Sequence, residues 1–266
     1  MTPHYRLIER LSPVALRVPG HSKKGLVLSF DVETFPSTGV NRHEADEEYE
    51  EFIPRLIELL DSYQVKAQFF VCGRVMELYS DELDALVRNG HGLGGHGYMH
   101  ERMSALSFTK QKKIIAKVRA AAREFLRTEL RSWRSPYLIS NFGTYKALRE
   151  NGFKVSSSTM EARRPVFIKG IIEVPLIAMD GDVLGYSSSD PEAAAWIDFM
   201  KESLSQFDSG IFVFGMHTWL QAKHDPRLSG MARFLSWIQA SGQAIWVGNL
   251  DKFSTTNRAP KLQNLA

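Results

Sequence analysis

The sequence predicts an α/β fold, a single domain in which parallel strands are covered by helices. Three observations predict it. Short apolar runs alternate with amphipathic stretches of helical spacing, and no internal boundary interrupts the alternation. Proline, serine, asparagine and glycine stand at many of the junctions. The residues able to carry chemistry gather where the apolar runs stop, which is where active sites form in folds of this kind.

The elements follow in order. Gly25 to Val32 reads as a buried strand after Lys23-Lys24, and Lys66 to Cys72, with Phe69-Phe70-Val71, reads as another. Between them Pro54 opens a helix whose Ile53, Leu56, Ile57 and Leu60 share one side. Ser80 caps a helix through Val87 that stops at Gly90, and His91 to Gly95 enters a third strand or its exit loop. Ile114, Ile115, Val118, Ala122, Phe125 and Leu126 predict a long helix after Ser107 or Thr109, followed by a strand within Leu130 to Ser135. Asn141 to Asn151 reads as a helix closed by Gly152. Further strands are expected at Phe153 to Ser156, Gly170 to Val174, Ile211 to Met216 and Ala244 to Val247, with helices near Glu192 to Phe207 and Arg227 to Ala240. The acidic stretch Glu44 to Glu51 reads as a solvated loop and helix start. An extension over 1–24 precedes the domain at 25–254, and a polar tail follows from 255 to 266.

Composition narrows the classes of function. At 266 residues and 44% hydrophobic content the chain can bury a sizeable core. Its 33 basic and 30 acidic residues leave a net charge of +3, which gives no reason to expect nucleic acid or an anionic membrane surface as partner. The lone Cys72 excludes an internal disulfide and, in its apolar run, reads as a small buried hydrophobe. Met1 to Gly20 carries Arg6, Glu9, Arg10 and Arg17 and lacks the apolar core of a signal peptide. With no run approaching the ~20 apolar residues of a membrane span, a cytoplasmic address is expected. Oligomeric state is not legible.

Five clusters carry chemistry. His96-Gly97-Tyr98-Met99-His100 sets two imidazoles four apart after Gly92-Leu93-Gly94-Gly95, and two nitrogens at that spacing can grip one metal ion. In Phe30-Asp31-Val32-Glu33, strand alternation turns Asp31 and Glu33 to the same side, so that one can bind the metal while the other takes a proton from an attacking water. Arg134, in Trp133-Arg134-Ser135-Pro136-Tyr137, can hold a carboxylate by a forked pair, and its proline turn can aim a backbone N–H at developing oxyanion charge. His217 ends the apolar run Phe214-Gly215-Met216 and suits a proton donor to a leaving group if it faces the same cavity. Asp180 and Asp182 follow Glu173-Val174-Pro175 in what otherwise reads as an ordinary turn.

The order of these motifs resembles the polysaccharide deacetylases, the NodB-like carbohydrate esterases of family four, from about Gly25 to Asp251. Phe30 to Glu33 is similar to the family's opening acidic motif, and Val65 to Val71 to its helix-to-strand passage. Gly90-His91 through His96 and His100 is similar to its metal motif, Arg134-Ser135-Pro136-Tyr137 to its Arg-x-Pro-aromatic motif, and His217 to its late catalytic histidine. The resemblance implies a distorted (β/α) barrel of about seven parallel strands and a divalent metal, most often zinc. It implies Asp31 as general base, His96 and His100 as metal ligands, Arg134 orienting Asp31, the Tyr137 backbone N–H at the oxyanion, and His217 protonating the departing amine.

Two positions depart from the family pattern. Val32 stands where a metal-binding aspartate is usual, so Glu33 becomes the expected ligand, with Asp31 itself the competing assignment. Ser156 stands where an aspartate often tunes the histidine or pairs with the arginine, and Asp180 is the expected substitute, in a segment similar to the branch hydrolysing small amides. The expected function is removal of an acyl group from the amide nitrogen of an N-acylated sugar. Hydrolysis of a small amide such as a ureide is one alternative. A silent carbohydrate-binding protein, using Trp133, Tyr137 and Trp219 to stack on its ligand, is another. Substrate shape is expected to come from the loops Pro36 to Glu44 and Tyr186 to Pro191.

Overall fold

The structure, a computed structural model, describes residues 13–34, 42–184, 193–241 and 245–255. Half of the expected N-terminal extension, nearly all of the expected tail, most of the loop at 36–44 and all of the loop at 186–191 lie outside the described residues. The strands are β1 (Leu16–Arg17), β2 (Lys24–Val32), β3 (Gln68–Val71), β4 (Gly92–Gly95), β5 (Ser132–Trp133), β6 (Val155–Ser156), β7 (Val166–Ile168), β8 (Ile171–Glu173), β9 (Ala178–Met179), β10 (Gly210–His217), β11 (Ile245–Val247) and β12 (Ser254–Thr255). The principal helices are α1 (Ile53–Ser62), α2 (Gly73–Leu78), α3 (Ser80–Arg88), α4 (Phe108–Phe125), α5 (Phe142–Glu150), α6 (Ala193–Ser205), α7 (Thr218–His224) and α8 (Ser229–Ala240).

Ten strands form one sheet in the order β7-β8-β6-β5-β4-β3-β2-β10-β9, with β11 joined to the start of β2. Its pairs are parallel except β7 with β8. Among the described residues the two ends of that path do not pair, so the expected α/β barrel is a curled half-barrel. Both β7 and β9 escape sequence reading. The first is an antiparallel partner across the turn at Lys169-Gly170, where both residues have positive φ, and the second is only two residues long.

Burial explains the helices. The α1 stripe Ile53, Leu56, Ile57 and Leu60 is buried as expected, against the same core as Phe30 and Phe69 of the sheet. Ser107 caps α4 by accepting from the Lys110 N–H, and Asn141 with Thr144 makes a capping box for α5. Phe125 is a correction, since it is exposed while Ala121 takes the inward position. The acidic stretch is another. Residues Glu47–Phe52 form a π-helical turn that drives Glu48 into the interior.

Parallel register fixes the rim. His217 stands opposite Asp31 across β10 and β2, Val71 opposite Gly95, and Gly95 opposite Trp133. The residues immediately beyond β4 and β5 are His96 and Arg134. Gly215 of β10 pairs with Met179, which brings Asp180 to the same edge. Five side chains remote in sequence thus share one rim because their strands end level. Among the described residues no helix is long and apolar enough to cross a membrane.

Candidate metal centre and active site

Glu33, His96 and His100 meet at the rim, each buried and each offering a ligand atom within 4.8 Å of the others. His100 Nε2 lies 2.8 Å from Glu33 Oε1 and His96 Nε2 lies 3.5 Å from the same oxygen. The surroundings aim these atoms. His96 Nδ1 is 2.9 Å from the Arg134 carbonyl, which can only accept, so the proton sits on Nδ1 and Nε2 keeps its lone pair. Trp219 donates from Nε1 to Glu33 Oε2 at 3.2 Å, and Tyr49 donates its hydroxyl to the Glu33 carbonyl. His100 has φ 64° and Gly97 φ 73°, a tight return that folds the second imidazole back beside the first. A non-glycine residue held there costs on the order of 1–3 kcal/mol, a strain typical of functional sites.

The donor set fits a divalent cation. His96 Nε2 and His100 Nε2 are buried without a well-aligned hydrogen bond among the described residues, an arrangement that costs ~1–3 kcal/mol per group unless something accepts the lone pair. Two imidazoles and one carboxylate are ligands usual for zinc and its neighbours. Burial pushes the Glu33 carboxyl up, but the two histidines and His217 outweigh it and hold the group well below its ordinary range. It is therefore the anion that a cation requires.

Asp31 sits next to this trio and outside it. Its Oδ1 accepts from Arg134 Nη1 at 2.7 Å while Oδ2 is 4.0 Å from His96 Nε2. Arg134 is wholly buried. Its Nη2 donates to Ser29 Oγ at 2.9 Å, its Nε to the Ser157 carbonyl at 2.9 Å, and its guanidinium stacks 4.3 Å from the Phe70 ring centroid. The expected forked pair is thus single, the other donors being taken by serines. Ser156 shares a hydrogen bond with Ser158 at 2.8 Å.

On the opposite flank Asp180 accepts from His217 Nδ1 and from its backbone N–H, each at 2.9 Å, and from Gln221 Nε2 at 3.0 Å. Burial alone would push the His217 imidazole down. The charge and hydrogen bond of Asp180, with Glu33 and Asp31 behind, raise it to about 9. Tyr137 has φ 59°, and its half-exposed ring lies 4.5 Å from the His100 ring.

Several expectations need correcting or extending. Trp133 does not present a stacking face, because it is fully buried against Phe153 with its Nε1 donating to Ser135 Oγ. His91, included in the metal motif, lies at the other end of β4, where Nδ1 accepts from Ala67 N; burial first of all lowers its pKa to about 4. Sequence reading missed two buried acids. Burial lifts Glu48 to about 8 even though the Thr218 hydroxyl donates to it, and burial lifts Glu173 to about 7 although Tyr145 and Ser158 donate to it. No motif marks Glu48. Glu173 lay in plain view before Val174-Pro175 but reads there as strand. Cys72 is buried as expected.

The rim of one α/β sheet thus assembles two histidines and a carboxylate that could hold a metal ion, beside an arginine-held aspartate and an aspartate-held histidine. Residues 20–156, just over half of the chain, match the family model for polysaccharide deacetylase, and the chain belongs to that family. It is 28% identical over 108 residues to the peptidoglycan deacetylase of Helicobacter pylori, a match covering 41% of this chain and 37% of the relative, so the chain spans about a third of that protein's length. A solved polysaccharide deacetylase candidate from Mycobacterium smegmatis shares the fold with TM-score 0.80 and 22% identity, covering 91% of this chain and 93% of the other. The PuuE allantoinase does so with TM-score 0.73 and 12% identity, covering 88% and 90%. His217 and Asp180 lie beyond the matched family segment.

Proposed function

We propose that the chain is a metal-dependent hydrolase that removes an acetyl group from the amide nitrogen of an N-acylated sugar. The observation that carries this reading is the pairing of a buried Glu33–His96–His100 trio with an acid-base couple flanking it, Asp31 on one side and His217 on the other. A divalent cation held by the trio, zinc by its donor set, would polarise the amide carbonyl and make water acidic enough to lose a proton near neutral pH.

The residues supply the rest. Asp31, oriented by Arg134, accepts the water's proton through Oδ2, the oxygen that faces the trio. The Tyr137 backbone N–H donates to the oxyanion, and removing one such donor costs on the order of 3 kcal/mol in known enzymes. His217 enters the reaction charged, because Asp180 holds its proton, and passes that proton to the departing amine. Trp219 limits the Glu33 carboxylate to one orientation.

Acetate release from N-acetylated amino-sugar oligomers by metal-supplied protein tests the proposal, and release is expected. No acyl release from any sugar would overturn it, and turnover confined to ureides or cyclic amides would move the substrate to the small-amide class. Replacing His96 or His100 by alanine should remove both bound metal, measured by elemental analysis, and turnover. A full chain that takes up no metal on repletion would instead support a silent binding protein.

A further inference from the structure

The net charge of +3 conceals a segregation. Residues 108–169 hold 15 of the 33 basic residues and only 4 of the 30 acidic ones, so this stretch is strongly positive while the remainder of the chain is net negative. All of those basic side chains except Arg119 and Arg134 are exposed. The balance that gave no reason to expect an anionic surface as partner belongs to the total and not to this part of the molecule.

The fold gathers the excess onto one face. Helices α4 and α5 pack side by side, with Thr144 Oγ1 of the second donating to Gln111 Oε1 of the first at 2.7 Å. On α5 the exposed residues Phe142, Lys146 and Arg149 stand at i, i+4 and i+7, a single stripe of a helix. Lys146 reaches across to the start of α4, its Nζ 4.9 Å from the Phe108 ring centroid. The Arg149 stem packs on the bare Gly170 of the turn between β7 and β8, and Lys169 of that turn reaches over Phe142, Nζ 5.7 Å from the ring centroid. Two helices and a hairpin turn are thus continuous. The acids present do not neutralise them. Glu150 pairs with Lys112 at 2.8 Å and Glu129 takes both Arg119 and Arg123, which leaves Lys110, Lys113, Lys146, Arg149 and Lys169 with no carboxylate at ion-pair distance among the described residues.

A face of this kind repels itself and attracts a broad negative partner. Phe142, 39% exposed, narrows the choice. Single-stranded nucleic acid stacks its bases on open aromatic rings, but a lysine already lies over Phe108 and another over Phe142. At a lipid surface the same pairing is favourable, because ring and lysine stem enter the headgroup layer while the ammonium stays level with the phosphates.

We infer that the face formed by α4, α5 and the turn between β7 and β8 docks peripherally on a membrane surface containing anionic phospholipid. Such docking needs no spanning helix, and among the described residues none is long and apolar enough to be one. The inference is independent of the hydrolase reading, since none of the five uncompensated residues belongs to the candidate active site.

Co-sedimentation of the full chain compares vesicles of one quarter phosphatidylglycerol and three quarters phosphatidylcholine with vesicles of phosphatidylcholine alone. Binding to the anionic vesicles is expected to be about tenfold stronger or more and to fall steeply at about 0.5 M salt, where screening reaches to within a few ångströms. Lys113→Glu combined with Lys146→Glu and Arg149→Glu should weaken it about a hundredfold or more, because each basic residue near such a surface contributes about fivefold. Should circular dichroism show that this variant has lost its fold, Lys113→Gln with Lys146→Gln is expected to weaken binding about tenfold or more. Equal sedimentation with both kinds of vesicle, anionic binding that survives these substitutions, or binding to single-stranded RNA at the same salt with none to vesicles overturns the inference.

Discussion

At the scale of single residues, the chemistry turns on what holds each acid and base. Asp180 grips both the ring and the backbone of His217, so Asp180→Asn should lower the His217 pKa from about 9, because burial would then be opposed only by the charges of Glu33 and Asp31. Proton NMR titration of the metal-free protein reads this directly. Activity should fall about a hundredfold or more, as for loss of a general acid, with the alkaline limb of its pH profile moved toward acid. Much at this scale was legible. Asp31, Glu33, His96, His100, Arg134 and His217 stand in short motifs at strand ends, where side-chain alternation and spacing limit what they can face. Asp180 was legible only by analogy, since nothing in a turn sequence says that its carboxylate reaches a histidine 37 positions away. Glu48 was not legible at all, because an acid among Glu47, Glu50 and Glu51 looks solvated until a π-turn rotates it inward.

Among the elements, β4 shows how sequence serves the site. Its composition, Gly-Leu-Gly-Gly, is poor for a strand, yet a Cβ on Gly94 would sit 2.6 Å from the Phe70 ring and one on Gly95 2.7 Å from Trp133. The bare backbone lets Phe70 and Trp133 close in on both sides, and Phe70 in turn supports the Arg134 guanidinium. Gly95→Ala should therefore destabilise by ~1–3 kcal/mol through overpacking, seen as a lower urea midpoint with an unchanged slope. A loss under a few tenths would show that Trp133 yields freely. Long periodic helices such as α4, and apolar strands such as β2 and β10, were readable because their pattern repeats. Two-residue strands such as β9 offer no period to read, and the sheet's failure to close depends on which strands find partners, a tertiary outcome.

For the whole molecule, buried titrating groups set how stability responds to pH. Glu48 and Glu173 have folded pKa values raised from 4.5 to about 8 and about 7. Each holds its proton more tightly folded than unfolded, so its contribution is full below 4.5 and is lost as pH rises through the folded value. His217, raised from 6.5 to about 9, likewise contributes below 6.5 and ceases to do so above 9. In the opposite sense, His91, lowered from 6.5 to about 4, and Glu33, lowered from 4.5, make the chain lose stability toward acid. Metal-free protein should thus be most stable in mildly acidic solution, near 4.5, and weaken steadily from there through neutral pH toward 9. Glu48→Gln should flatten the decline between 4.5 and 8, measured by thermal melting across pH; an unchanged slope would mean that Glu48 ionises without cost. The position of β2, flanked by β10 along its whole length and by β11 and β3 on the other side, carries one more consequence. Its amides should be the last in the molecule to exchange with deuterium, opening only when the entire chain unfolds, so Asp31, the base we propose, is mounted on the least yielding timber of the frame.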